Sequence, residues 1–424
     1  MSNPNSVRVD YPRDLAVRIL TRVLSGGEAL DEVLASISGE VSGGARAWLQ
    51  DVCSGTLRWK GRLDLAVDSA ALKKRPTGWL RKILLVAAYQ LIGQERVQPA
   101  SVVMETVDLV RRQEGEAPAK FANAILRKIS EHAVSWRELP FPARATDGEQ
   151  AQWASLPEWM WKRLLKGRGF EWTKAYALTS LTRPKTWVRA REAEVLGSWT
   201  QAGPVPGSFS VEEGGPIFEK PGFVEGKFLV QDISSQSLIY DVAAKIRKDL
   251  GSERALRVLD LCAAPGGKSV GLSWSGFDVY ASDVEASRYA LLKQTVERLA
   301  PEVKVIAREE VSALHGLNAV WVDAPCSGSG ILRRHPDVRW LKREEDLVKL
   351  RATQLELLGE ARRLMKSGGY LVFSTCSVLP EEGASLVRDF MGSPEGQGLK
   401  SCGEWFLEPQ TAPYGDGFYC QLLS

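Results

Sequence analysis

A chain of 424 residues is too long for one ordinary core, so two or three domains are expected. Hydrophobic content of 44% and charged content of 25% are those of a water-soluble globular protein; no apolar leader opens the chain, and no stretch reaches the roughly 18 uninterrupted apolar residues of a membrane span. Six cysteines without a CxxC pair and only three histidines argue against a metal site and for a reducing, cytoplasmic location, and a net charge of +3 leaves any nucleic-acid surface to local clustering.

Residues 1–135 read as helix after helix. Apolar residues recur at helical spacing over Asp14 to Leu24, Arg46 to Arg62, Leu80 to Gln94, Val102 to Arg112 and Lys120 to Ile129, with Gly and Pro as punctuation. The strongest cluster of positive charge is Lys73, Lys74 and Arg75 with Arg81 and Lys82, and no acid lies between residues 69 and 94. It reads either as a solvated face or as a patch that contacts phosphate. Tyr89-Gln90-Leu91, Glu105-Thr-Val-Asp-Leu-Val110 and Phe121-Ala-Asn-Ala-Ile-Leu-Arg127 occur here in an order that resembles the NusB family of small helical RNA-binding proteins. The resemblance implies an all-α domain and an RNA partner.

Residues 136–222 are richer in Pro, Gly and Trp and read as a small α+β linker domain that contacts RNA. Trp187 to Arg191 is expected as a strand and Gly203 to Gly207 as a loop. Tryptophan, at fourteen residues in the chain, could offer stacking platforms for bases, but each alone is better explained by packing.

Residues 223–424 alternate between strand and helix. Arg257 to Leu261, Asp278 to Asp283 and Lys304 to Ala307 are expected strands, and Gly267 to Trp274, Ala286 to Leu299 and Leu347 to Met365 are expected helices. The final stretch, Asp416 to Leu423, is expected as an edge strand. This pattern predicts a doubly wound, Rossmann-like α/β domain, and the whole chain is therefore multidomain.

Two strand ends in this domain carry cysteines. Ala319-Val-Trp-Val-Asp323-Ala-Pro-Cys326-Ser-Gly-Ser-Gly330 is a buried strand that opens into a loop. Gly369-Tyr-Leu-Val-Phe-Ser-Thr-Cys376 repeats the figure. Ligands of open parallel sheets bind at such carboxyl ends, so both cysteines are expected to face one pocket. A lone cysteine is more often a small buried hydrophobe, and Cys53, Cys262, Cys402 and Cys420 keep that reading, with Cys262 also a candidate to line the loop that follows the first strand.

A third loop, Asp260-Leu-Cys262-Ala263-Ala264-Pro265-Gly266-Gly267-Lys268, lies between the first strand and first helix. It fails the P-loop pattern because Cys262 stands at the first glycine, and GxGxxG is absent too. What remains is a nucleoside site. Asp283, at the end of the second strand, is placed either to accept from ribose hydroxyls or to cap the helix that follows.

These motifs, with Arg333-Arg334-His335-Pro-Asp-Val-Arg339-Trp340, Ser374 to Glu382, Gln231-Asp232 and Asp416-Gly-Phe-Tyr, resemble the RNA cytosine-C5 methyltransferases of the NOL1/NOP2/Sun family. The resemblance implies S-adenosylmethionine held by Cys262 to Lys268, with Asp283 on the ribose and Arg288 nearby. Where the family often places an aspartate after the third strand this chain has Ala307-Arg308-Glu309-Glu310, and Glu309 is the candidate to take over the adenine-side contact. It places Asp323 beside the methyl donor and the target base. It makes Cys376 the nucleophile and Cys326 the residue that helps release product. The residues alone leave Cys326 open as the nucleophile.

Carbon 5 of cytosine becomes nucleophilic only after a thiolate adds to carbon 6, and an acid near ring nitrogen 3 must be protonated or share a proton. The basic residues Arg333, Arg334, His335 and Arg339 are candidates to favour the thiolate or bind RNA phosphate. With the NusB-like segment, the expected substrate is a cytosine of small-subunit rRNA, acted on by a monomer without metal or membrane. The alternatives are transfer RNA, another rRNA site, or an inactive RNA-binding assembly factor.

Overall fold

The computed structural model describes residues 12–424 apart from 38, 40, 72, 73, 95, 193–195, 252–255 and 414, so Lys73 lies outside the described residues. Among the described residues ten helices come first: α1 (Pro12–Gly26), α2 (Leu30–Ser36), α3 (Gly43–Ala71), α4 (Gly78–Gly93), α5 (Pro99–Glu114), α6 (Glu116–Glu131), α7 (Ala133–Arg137), α8 (Asp147–Trp153), α9 (Glu158–Arg168) and α10 (Phe170–Ser180). Four short strands come next: β1 (Trp187–Ala190), β2 (Thr200–Ala202), β3 (Ser208–Val211) and β4 (Phe228–Val230). The alternating part then runs α11 (Ile233–Leu250), β5 (Arg257–Asp260), α12 (Gly267–Trp274), β6 (Asp278–Ala281), α13 (Ala286–Leu299), β7 (Lys304–Val305) and β8 (Leu317–Asp323). It closes with α14 (Val338–Leu341), α15 (Asp346–Leu364), β9 (Met365–Thr375), α16 (Ala384–Met391), β10 (Ser401–Leu407) and β11 (Phe418–Leu423).

The chain divides into two compact units. One comprises residues up to Thr182 together with Leu332–Glu344; the other comprises Arg183–Ile331 and Glu345–Ser424. The segment read as a linker domain is thus shared: α8 to α10 belong to the helical unit and β1 to β4 to the sheet unit.

In the helical unit, α4 supplies an almost wholly buried face from Ile83 to Ile92, and α1, α3, α5 and α6 pack their apolar stripes against it. Pro99 opens α5, where a missing N–H costs nothing, and Thr146 and Glu149 form a reciprocal capping box on α8.

The sheet unit holds an antiparallel sheet of order β2-β3-β1-β4 and a seven-stranded sheet of order β10-β11-β9-β8-β5-β6-β7. Strands β9, β8, β5, β6 and β7 run parallel, whereas β11 and β10 are antiparallel additions. Core residues lie on both faces of the larger sheet, as a doubly wound domain requires. The order turns at β5, which places the carboxyl ends of β5, β6, β8 and β9 around one crevice.

One sequence expectation is corrected here. The last strand is not an edge: all six residues of β11 are buried between β9 and β10, and Ser401–Leu407 forms the edge instead. A strand covered on both sides and both faces reads as a nearly continuous apolar run, and Phe418-Tyr-Cys-Gln-Leu-Leu423 is interrupted only by Gln421, whose amide donates to Ser401 Oγ and Gly403 O of β10.

Candidate active site

Strand β5 ends at Asp260, and the loop beyond it hangs between the ends of two neighbouring strands. Leu261 N donates to Trp321 O at 2.9 Å, and Ala263 N donates to Ser282 O at 2.9 Å. Gly266 adopts a left-handed conformation at φ 107° to cap α12, which a residue with a Cβ would enter only under strain. Asp283 Oδ2 accepts from Ala264 N at 3.1 Å and Oδ1 from Glu285 N at 3.2 Å. Arg288 Nη2 donates to Ala264 O at 3.0 Å and lies 3.5 Å from Asp283 Oδ2. The N-cap of α13 is Glu285, so Asp283 braces the loop instead of capping that helix.

The other expected cofactor residues divide. Gly267 and Lys268 start α12, Pro265 is exposed, and Cys262 is partly buried with its thiol pushed up by burial and by the acids Asp260, Asp323 and Asp283. Glu309 is exposed in a 3-10 turn, while its neighbour Arg308 pairs with Glu360. Burial is also the main force that raises the Asp260 carboxyl to about 7, against a 2.6 Å hydrogen bond from Ser269 Oγ.

S-adenosylmethionine fits this constellation on two observations. Gln231 Oε1 is buried without a hydrogen-bond partner among the described residues, and its Nε2 stands 3.2 Å from where a Cβ on Gly267 would lie. An orphaned acceptor beside glycine backbone at a helix start suits an ammonium and a carboxylate, and the Asp283 carboxylate has further lone pairs for ribose hydroxyls.

Strands β8 and β9 bring the cysteines together. Their parallel register pairs Asp323 with Ser374, and Cys326 Sγ lies 3.0 Å from Cys376 Sγ. Three backbone bonds hold the loops: Ala324 N to Ser374 O, Gly330 N to Cys376 O, and Gly417 N to Gly330 O, at 2.9, 2.9 and 2.8 Å. Gly330 is required by close approach, since a Cβ there would stand 2.0 Å from Gly417 O. The neighbouring Cys376 sulfur and burial raise the Cys326 thiol well above its ordinary value, so Cys326 holds its proton.

Asp323 is engaged at both oxygens. Lys268 Nζ donates to Oδ2 at 2.6 Å, and Ser374 Oγ donates to Oδ1 at 2.8 Å while accepting from Trp321 Nε1 at 2.9 Å. Burial favours the neutral amine of Lys268, but the Asp323 carboxylate outweighs it and raises the ammonium's pKa. Sequence reasoning assigned Lys268 to the cofactor loop and missed its link to Asp323. It also passed over Ser374, Trp321, Glu382 and Gln354. Ser374 and Glu382 stand within quoted motifs, whereas Gln354 sits mid-helix with no signal.

The basic candidates fare differently. Arg339 is fully buried: its two Nη atoms donate to the carbonyl oxygens of Arg58, Ser155, Ser180 and Leu332 at 2.9–3.2 Å. Arg333 is buried too, and its carbonyl accepts from Arg58; His335 Nδ1 lies 3.2 Å from Asp31. Arg339 therefore serves the helical core and cannot reach phosphate. Arg81 pairs with Asp64 and Asp68, and Arg75 lies 3.7 Å from Asp68, so acids of α3 offset a cluster that is free of acids in sequence.

No helix among the described residues is long and apolar enough to cross a membrane, and they contain no group of three His, Cys, Asp or Glu that could hold a metal ion.

Residues 250–422 match the family described as 16S rRNA methyltransferase RsmB/F, and residues 11–131 match the NusB family. The chain is 30% identical to "Ribosomal RNA small subunit methyltransferase B" of Citrobacter koseri, over 97% of this chain and 98% of that protein. Among solved structures, PH0851 superposes with a TM-score of 0.72 over 100% of this chain and 99% of its own, at 23% identity. NSun6 from Pyrococcus horikoshii, solved with SFG, covers 62% of this chain and 96% of its own at a TM-score of 0.51 and 15% identity, which shows shared fold alone. The chain belongs to the RsmB/F family of 16S rRNA methyltransferases, with a NusB-family segment ahead of its methyltransferase domain and S-adenosylmethionine as its cofactor.

Proposed function

We propose that this protein methylates carbon 5 of a cytosine in small-subunit rRNA through a covalent adduct with Cys376. The observation that carries this reading is the 3.0 Å approach of two thiols beside an ion-paired aspartate, at the carboxyl ends of adjacent parallel strands. S-adenosylmethionine supplies a methyl group made electrophilic by its sulfonium.

The chain's own residues supply the rest. Cys376 sulfur bonds to carbon 6, and the displaced electron pair makes carbon 5 nucleophilic. Asp323 faces ring nitrogen 3; a proton passed from the Lys268 ammonium to Asp323 across their 2.6 Å contact goes on to that nitrogen as carbon 6 is attacked, and returns by the same route when the adduct breaks down. After transfer, the proton on carbon 5 leaves to a base and the bond between carbon 6 and sulfur breaks. Cys326, still protonated, donates its S–H to the departing Cys376 sulfur. The opposite assignment, Cys326 as nucleophile, exchanges the two roles within the same 3.0 Å thiol pair.

Trapping tests both the chemistry and the assignment. Cys326→Ala protein incubated with unmethylated 16S rRNA and S-adenosylmethionine should retain an RNA–protein adduct on a denaturing gel. The adduct should vanish in Cys326→Ala/Cys376→Ala. An adduct that instead forms with Cys376→Ala would exchange the two roles. Absence of both adduct and methyl transfer by wild-type protein would end the cytosine-C5 reading.

A further inference from the structure

Two side chains outside the chemistry above converge on the loop that carries Cys326. Glu382 lies in the short turn after Cys376 and is 1% exposed; Gln354 lies on α15 and is fully buried. Glu382 Oε1 accepts from Ser327 N at 2.7 Å and from Gln354 Nε2 at 3.3 Å. The same Gln354 nitrogen donates to Pro325 O at 2.9 Å. The residues on both sides of Cys326 are thus held by one glutamate–glutamine pair. Glu382 also reaches the second thiol's neighbour, because Thr375 Oγ1 donates to Glu382 O at 3.0 Å.

A buried carboxylate is a costly way to satisfy one backbone N–H. Glu382 Oε2 has no hydrogen-bond partner among the described residues, so the acid is not repaid by a full set of bonds. A cost retained beside a reactive thiol points to a role in the reaction.

We propose that Glu382 and Gln354 are positioning residues for Cys326, holding its thiol against the Cys376 sulfur so that it serves the departure of that sulfur from carbon 6. This rests on the releasing role given to Cys326 above. It predicts a defect confined to the last stage of turnover, because cofactor and base are bound by other residues.

The test compares Glu382→Ala, Glu382→Gln and Gln354→Met with Cys326→Ala, using unmethylated 16S rRNA and S-adenosylmethionine. Glu382→Ala and Gln354→Met should accumulate the adduct, with steady-state turnover reduced on the order of tenfold to a hundredfold. Their methyl transfer in the first turnover and their calorimetric affinity for S-adenosylmethionine should match wild type. Glu382→Gln, whose amide oxygen still accepts from Ser327 N, should recover most of the turnover lost in Glu382→Ala. Slow turnover without adduct in Gln354→Met, while Cys326→Ala traps one, would overturn the inference even if Glu382→Ala failed to fold. No adduct in Cys326→Ala itself would remove the releasing role, and the positioning role with it.

Discussion

Asp323–Gly330 and Leu332–Glu344 are consecutive in sequence, equally rich in motif residues, and built to opposite ends. The first lies in the sheet unit and keeps a thiol and a carboxylate partly exposed at a strand end. The second lies in the helical unit and spends Arg339 entirely on four carbonyl oxygens of its own core. A planar guanidinium with five donors suits that task, since carbonyls at helix ends need partners when water is excluded. Positive charge in a motif is therefore no guide to a nucleic-acid surface until its neighbours are known.

Four substitutions sharpen or break this contrast, beginning with the largest expected effect. Lys268→Met should lower methyl transfer on the order of a hundredfold to a thousandfold by removing the proton partner of Asp323. A loss under tenfold would take the pair out of the chemistry.

Arg339→Met should do the reverse. It should cost about 3–5 kcal/mol of stability by stranding buried carbonyls, a loss readable in denaturant titrations of the whole chain. Wild-type stability in that variant would show that the carbonyls find other donors.

Asp260 titrates with the opposite sign to a salt-bridged acid. Its folded-state pKa is raised to about 7, so the folded state holds a proton that the unfolded chain releases from about pH 4 upward. Stability from this group is complete below pH 4 and is lost as pH rises through 7. Asp260→Asn should consequently gain on wild type across that window, by up to about 4 kcal/mol. A difference that stays constant with pH would place the carboxyl at its ordinary value.

Gly330→Ala should cost about 1–3 kcal/mol, because the new methyl must displace Gly417 O from the cysteine loops. Turnover should fall with it. An alanine variant with unchanged melting and rate would show that the loops can separate freely.

Much of this was legible in the amino-acid order. Period-3.6 patterning located α1 and α3 to α6, and the change to alternating strand and helix located α12 and α13 to the residue. The three carboxyl-end motifs were readable because a sheet of this kind concentrates its polar loops on one edge. The small antiparallel sheet was mostly invisible: β2 and β4 have three residues each, too short to show a period. Glu309 shows the limit at the site, standing where an acid was wanted yet exposed in a turn where, among the described residues, only its backbone carbonyl is bonded, accepting from Ser312 Oγ at 3.2 Å.

What the amino-acid order determined by itself is local: helical stripes, strand ends, glycines where backbone must come close, and two thiols each at the end of a buried strand. Tertiary structure decided the pairings. It set Lys268 on Asp323 across 55 residues, Glu382 and Gln354 around Cys326, β11 inside the sheet and Arg339 inside the helices. The reason is physical. Periodicity reports which face of an element is buried, whereas a polar side chain's role depends on which partner reaches it once water has been excluded.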